Sequence, residues 1–275
     1  MRNPGARSAC LLAVVGALAA ATPVVSQAEG SSDDWTFSAT IYGWLPSIDG
    51  NLSVPVETGG SSVGVDPSAI LDALNFTFMG MFEADKGRWG AATDLIYLDL
   101  GGSKKKVRDF TVGDVDLPGS TTVDASLDIT GWLWTLDGTY LVVDDPDHPV
   151  KLLAGARMLD MTTDLKWKLE GDISGLPLPG REGKGEASDT VWDAIVGVKG
   201  KFVFGDDRKW FVPYYLDVGT GDSDLTWQGM LGAGYAFDWG DLVAVWRYLD
   251  YNMPSGKSIE DLSFSGAAIG ATFHF

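Results

Sequence analysis

The chain contains few of the residues that several common functions require. Of its 275 residues, one is a cysteine and two are histidines, so no disulfide framework and no thiolate metal or redox site is expected. Lysine and arginine number 20 against 38 acidic residues, which gives a formal charge of −18. Nucleic-acid binding depends on basic residues that neutralise phosphates, so this balance excludes that class. The apolar run at residues 9–21 is too short for a helix that spans a membrane, and no later run is longer.

The first 28 residues have the pattern of a cleaved secretory signal peptide. Arg2 and Arg7 give a positive start, residues 9–21 are apolar, and the segment closes on small residues ending at Ala28. Cleavage there would remove the single cysteine, two of the 20 basic residues and none of the 38 acidic ones, leaving a formal charge of −20. We therefore expect an exported protein whose residues 29–275 form one domain.

The remaining sequence alternates between apolar and polar residues with a period of two, as β-strands do when one face is apolar. Leu225, Trp227 and Leu231 share one predicted face, whereas Thr226 and Gln228 share the other. The same alternation recurs along the chain and predicts ten strands, beginning near residues 34, 75, 88, 122, 149, 187, 209, 223, 240 and 260.

Short and long connections alternate between these strands. The short ones are rich in turn-forming residues and lie at 85–88, 144–149, 205–208 and 238–240. This arrangement predicts an all-β, antiparallel, up-and-down transmembrane barrel with short periplasmic turns and longer outer loops. Pro46 and Gly50 interrupt the first strand, which leaves a total of twelve strands open, and a total of eight is also possible.

A soluble barrel would show the same alternation, so the choice of a membrane barrel depends on other features. Aromatic residues collect near the predicted strand ends, as in the girdles of outer-membrane barrels. They are Trp35, Trp89, Trp210 and Trp239 beside the short turns, and Trp44, Tyr97, Trp132, Trp192, Trp227 and Tyr248 toward the long connections. The chain also ends with Phe273 and Phe275 at alternate positions, which resembles the signal recognised by outer-membrane assembly machinery. We therefore expect a Gram-negative outer-membrane location.

Several short motifs carry a resemblance to a known family. They are Tyr42-Gly43-Trp44-Leu45-Pro46, Gly87-Arg88-Trp89-Gly90 with Asp94-Leu95-Ile96-Tyr97, Gly155-Ala156-Arg157, Trp192-Asp193, Asp217-Val218-Gly219 and Trp246-Arg247-Tyr248-Leu249-Asp250-Tyr251. With these motifs the sequence resembles uncharacterised outer-membrane barrel proteins of Gram-negative bacteria over most of residues 29–275. The resemblance implies the fold and the location, but no activity and no functional residue.

Charged residues occur at mid-strand on the predicted polar faces. We expect them to form a network in the lumen: Glu83, Asp94, Asp137, Arg157, Asp193, Lys199, Asp217 and Arg247. A charge kept from water is costly unless it is paired, so acids and bases should pair there. No acid pair stands out for acid–base catalysis.

Outer-membrane barrels can be enzymes, and the omptin proteases and outer-membrane phospholipases are the precedents. Those enzymes use a histidine as general base at the outer rim or leaflet. Here His148 falls in a predicted periplasmic turn and His274 lies beside the carboxyl terminus. The sequence therefore predicts no enzymatic activity, no cofactor and no metal.

Two functions are compatible with the sequence. The first is a narrow conduit for small solutes or ions through a charged lumen, and the second is a closed structural or surface-interaction barrel. Ten strands lie nearer to the eight-stranded size that side chains fill than to the sixteen of an open channel. One basic cluster, Lys104, Lys105, Lys106 and Arg108, suggests contact with lipopolysaccharide phosphates, or else a solvated loop. Sequence specifies neither a solute nor an oligomeric state.

Overall fold

The computed structural model describes residues 34–52, 61–65, 74–101, 105–106, 122–170, 172–173, 176–177, 181–254 and 259–275. The predicted signal peptide lies outside these residues, as do Lys104 and Arg108. Across the described ranges, no helix is long and apolar enough to cross a membrane.

The described residues form fourteen β-strands. They are β1 (Trp35–Leu52), β2 (Ser61–Val65), β3 (Leu74–Lys86), β4 (Trp89–Leu100), β5 (Lys105–Lys106), β6 (Thr122–Val143), β7 (Val150–Glu170), β8 (Asp172–Ile173), β9 (Leu176–Pro177), β10 (Arg181–Phe204), β11 (Trp210–Gly221), β12 (Leu225–Phe237), β13 (Gly240–Asn252) and β14 (Ile259–His274).

Ten of these strands close into an antiparallel barrel. The main sheet contains twelve strands, of which β2 and β5 are short additions to β1 and β6. The other ten follow one another in sequence order around the sheet, and β14 pairs with β1 to close it. The predicted up-and-down barrel of ten strands is confirmed, and neither eight nor twelve is correct.

Pro46 does not divide the first strand, because its nitrogen points away from β14, the strand with which β1 stays paired at this position. Backbone pairing of β1 with β3 ends at Ile41, whereas pairing with β14 continues through Pro46. The amide of Trp44 is directed to the β3 side, where it donates to the sulfur of Met79 at 3.1 Å. Two residues farther on, Pro46 faces that same side, so its missing donor leaves the β1–β14 ladder intact.

The outer face of the barrel is apolar, and most predicted girdle residues point outward. Leu231, at the middle of β12, is 60% exposed, and Trp89 and Trp210 are also exposed. Trp44 is the exception. The prediction that it belongs to the outer girdle is wrong, because it shares the inward face of β1 with Tyr42 and is only 4% exposed.

The lumen has two unlike halves. Toward the long connections, packed apolar side chains fill it: Trp44, Ile48, Met79, Ile96, Leu100, Ile129, Leu133, Leu159, Met161, Val191, Leu249, Tyr251, Met253, Leu262, Phe264 and Ala268. Toward the short turns and the chain termini, the inward side chains are polar, charged or small. The two halves meet where Arg157 and Arg247 lie buried.

The two faces of the sheet predict different tolerance of charge. Leu231→Arg places a cation on the outer face at mid-depth and should cost about 2 to 4 kcal/mol of unfolding free energy in lipid. Val243→Arg, on the inward face beside a cavity, should cost less because water reaches that side. Denaturant titrations of refolded protein in lipid vesicles measure both. Equal losses would mean that the outer face does not contact lipid.

Candidate functional site

Arg157 is at the centre of the first cluster of buried charges. Its guanidinium makes an ion pair with Asp217, and both side chains are fully buried. Its Nε donates to Thr135 Oγ1 at 3.4 Å. Gly197 leaves room for the acid on the neighbouring strand, because a Cβ atom there would lie 2.8 Å from Asp217 Cβ. The pair therefore depends on a glycine as well as on charge.

Arg247 organises the second cluster. It is 4% exposed, and its Nη2 lies 3.0 Å from Asp94 Oδ2. Nη1 donates to the Tyr42 hydroxyl at 3.0 Å, and Nη2 donates to Gln228 Oε1 at 2.8 Å. The guanidinium also lies 4.7 Å from the ring centroid of Trp44, so a cation–π contact adds to the pairing. The lumenal position of Trp44 is thus part of this cluster.

Glu83 is shared by two lysines nearer to the short turns. Lys151 Nζ lies 2.5 Å from Glu83 Oε1, and Lys199 Nζ lies 2.7 Å from Oε2. Lys151 also pairs with Asp85 at 2.7 Å. Lys151 and Asp85 were not among the residues predicted for the lumen, although alternation from Arg157 and from Glu83 places each on the inward face.

Among the described residues, the remaining two predicted acids, Asp137 and Asp193, form no ion pair within 4.0 Å. Asp193 Oδ1 accepts the amide of Ser223 at 3.0 Å, so this acid holds the turn between β11 and β12. Asp137 is 7% exposed, and no group among the described residues hydrogen-bonds its Oδ1. A Cβ on Gly155 would lie 2.8 Å from Asp137 Cβ, so here too a glycine makes the space.

A cavity of about 970 Å³ occupies the half of the lumen toward the short turns. Thr36, Asp241 and His274 line it at the barrel rim, and Tyr42 and Arg247 line it at mid-barrel. Asp137 is part of its wall, two residues closer to the short turns than Thr135. The volume is that of a drug-sized ligand site.

The other predicted sites lie at the barrel ends. Phe275 exchanges two backbone hydrogen bonds of 2.9 Å with Phe37, which continues the seam between the first and last strands. Phe273 is outward, with its ring centroid 5.6 Å from that of Trp239. Of the basic cluster only Lys105 and Lys106 are described, as the short strand β5 paired with β6. Their proposed roles in assembly and in lipopolysaccharide contact stay predictions.

The two histidines lie near the short turns. His148 stacks on Phe202, with 4.0 Å between ring centroids, and His274 Nε2 lies 2.9 Å from Asp241 Oδ2. In the described part of the chain, no three His, Cys, Asp or Glu residues are placed to hold a metal ion together.

Comparison with known proteins identifies the fold. No protein-family model matches the chain. No curated protein sequence matches it either. Solved structures do match. The outer-membrane protease OmpT of Escherichia coli has a TM-score of 0.53 and 11% identity, covering 90% of this chain and 99% of that one.

Two further matches are the translocator domain of the autotransporter NalP from Neisseria meningitidis and the attachment invasion locus protein Ail of Yersinia pestis. NalP gives a TM-score of 0.41 at 14% identity, covering 90% of each chain. Ail gives 0.33 at 8%, covering 88% of this chain and 99% of that one. The structural neighbours are thus outer-membrane β-barrels of Gram-negative bacteria.

The likeness to OmpT corrects the prediction that the chain is not an enzyme. That prediction used the positions of two histidines to exclude catalysis, yet a barrel of the same fold is a protease. The exclusion is therefore wrong. At 11% identity the likeness carries the fold and no catalytic residue.

The Arg157–Asp217 pair gives a test of the buried charges. Arg157→Met should lower the unfolding free energy by about 3 to 5 kcal/mol, because it leaves the Asp217 carboxylate buried without a partner. Adding Asp217→Asn to that variant should restore part of the loss. Denaturant titration of the refolded barrel measures each step.

The exposed Arg208–Asp147 pair, at 2.7 Å, is the matched control. Arg208→Gln should change the unfolding free energy by no more than about 1 kcal/mol. If Arg157→Met were equally mild, water would reach the Asp217 carboxylate and the site would not be dry.

Proposed function

We propose that this protein is an integral outer-membrane β-barrel whose lumen is closed to through-flow, and that it works by binding at its ends. The observation that carries the proposal is the apolar layer that fills the lumen toward the long connections. Its members include Val191, Leu249 and Tyr251, each of which is at most 1% exposed.

The membrane part of the proposal is supported by the outer face. Large apolar side chains on several strands are more than half exposed, such as Val196 on β10, Leu231 on β12 and Trp246 on β13. Soluble proteins rarely expose so continuous an apolar surface. Short turns at one end and long connections at the other favour an orientation with the short turns in the periplasm.

The packing of the lumen supports the closed state. A hydrated solute crossing the barrel would have to separate Trp44 from Phe264, whose ring centroids are 6.0 Å apart, and displace Leu249. Protein interiors packed in this way contain few voids larger than a water molecule. An ion in such a layer would also lose its hydration without gaining a partner.

The charged residues that suggested a conduit are compatible with this closed barrel. The groups around Arg157, Arg247 and Glu83 are paired with one another, and those that line the cavity lie on the short-turn side of the apolar layer. They therefore line a recess open toward one end. Contact of the outer loops with lipopolysaccharide remains a further proposal, since most of the basic cluster lies outside the described residues.

Planar-bilayer recording tests the closed lumen. The wild-type protein should give no steady current at moderate voltage, because the apolar layer excludes hydrated ions. Leu133→Ala combined with Leu249→Ala and Phe264→Ala should produce measurable current by hollowing that layer. Each truncation costs about 2 to 5 kcal/mol, so retained heat-modifiable migration must be verified first.

Tyr248→Ala is the control, since Tyr248 neighbours Leu249 but is not part of the apolar layer. It should leave the bilayer silent. A steady wild-type current with ion selectivity would contradict the closed barrel and favour the conduit.

The carboxyl-terminal residue provides a separate test of assembly. Deleting Phe275 removes two backbone hydrogen bonds at the seam and the ring 6.2 Å from Phe37. We expect lower protein levels in washed outer membranes and more periplasmic degradation. Phe202→Ala, which removes another exposed ring near the same rim, is the comparison and should change these levels less. Unchanged abundance after deletion would exclude an assembly role.

A further inference from the structure

We infer that the cavity at the short-turn end is a binding site for a small organic cation, with the Asp137 carboxylate as its anionic partner. The inference uses the orientation and the closed inner end given under the proposed function, and it assigns that recess a ligand class. Its ligand would be an amphipathic ammonium compound reaching the barrel from the periplasm.

The first argument is the charge balance of the cavity wall. Glu83, Asp85 and Asp137 meet two lysines, Lys151 and Lys199, so this group carries one more negative than positive charge. The pair formed by Asp94 and Arg247 is balanced. At the rim, Asp241 balances Lys201 and lies 2.9 Å from His274, which the formal charge counts as neutral. The side chains of the wall therefore leave one negative charge over, and the terminal carboxylate of Phe275 adds negative charge at the rim.

The second argument is the state of Asp137 itself. Its side chain lines the cavity and is more than nine-tenths buried, and no described group hydrogen-bonds its Oδ1. A buried carboxylate oxygen without a partner is costly, and a donor supplied by a ligand would remove that cost. An ammonium group is the donor that also cancels the leftover charge.

The third argument is the character of the remaining wall. Phe211, Met230, Val243 and Val245 supply apolar surface, and Tyr215 adds an aromatic ring. Such a wall suits a hydrocarbon or aromatic body better than a bare metal ion. Across the described residues, no three acids or histidines converge as a metal site would require.

The test compares three probes that share a body and differ in charge: benzylamine, benzyl alcohol and benzoate. Each is titrated at neutral pH into the full-length mature barrel, refolded in a nonionic maltoside detergent, and followed by ligand-observed NMR. Benzylamine should bind at least about tenfold more tightly than the other two, which is the scale of one charge-assisted hydrogen bond. Equal binding of benzyl alcohol would overturn the inference, because the pocket would then be apolar with a neutral Asp137. Tighter binding of benzoate would also overturn it.

Asp137→Asn should remove this preference, weakening benzylamine about tenfold while benzyl alcohol is unchanged. Asp193→Asn is the matched control: Asp193 is another buried acid with an unpartnered oxygen, but it does not line the cavity. It should leave benzylamine binding within about twofold. Val243→Phe keeps the charge and adds a ring that takes up part of the cavity, so it should weaken all bound probes and provides a second reading if Asp137→Asn fails to fold.

Benzylamine binding that is unaffected by both Asp137→Asn and Val243→Phe would overturn the inference. The test of the cation site can be separated from the test of the closed lumen. A conducting barrel with Asp137-dependent amine binding would refute only the closed lumen, whereas a silent barrel without charge preference would refute only the cation site.

Discussion

The interior of a ten-stranded barrel is narrow, and every inward side chain must find either a partner or water there. This constraint governs the rest of the structure. The two arginines at mid-barrel meet it by pairing: Arg157 with Asp217, and Arg247 with Asp94, Tyr42 and Gln228. Because removing either partner leaves a charge without compensation, such pairs fix which strands face each other across the lumen more than they add stability.

Pairing of this kind also requires space, and the small residues of neighbouring strands provide it. Gly155 and Gly197 lie beside Asp137 and Asp217, where a Cβ atom would contact backbone and side-chain atoms of the acids. The glycine content of the chain is therefore partly a packing requirement of the lumen. It is not a sign of disorder, because these glycines lie inside long paired strands.

Much of the fold could be predicted from sequence because the alternation of apolar and polar residues reports the two faces of each strand directly. The strand starts near residues 122, 209 and 240 agree with the structure to within one residue. Where the lumen is itself apolar, both faces of a strand carry apolar residues, so alternation no longer shows which of them faces inward. Trp44 was placed in the outer girdle for that reason, although it shares a face with Tyr42.

The candidate site could be predicted only in part. Inward charges were identifiable by their mid-strand positions, but the partner of each depends on strand tilt and on contacts across the barrel. Arg247 reaches Asp94, four strands away around the sheet, and no local spacing indicates that contact. Lys151 and Asp85 were missed because they lie next to turns, where a charged residue usually points into water.

The two halves of the lumen differ because the inward residues change in size along each strand. On β1 the inward positions Thr36, Ser38 and Thr40 are small, and they are followed by Tyr42 and Trp44. Strand β14 begins at the long-connection end of the barrel, where its inward residues Leu262 and Phe264 are large, and its later inward residues are small. Antiparallel pairing brings the large residues of both strands to one end and the small ones to the other. A gradient in side-chain volume thus fills the lumen with apolar side chains toward the long connections and leaves a cavity toward the short turns, with the buried charges at the boundary between them.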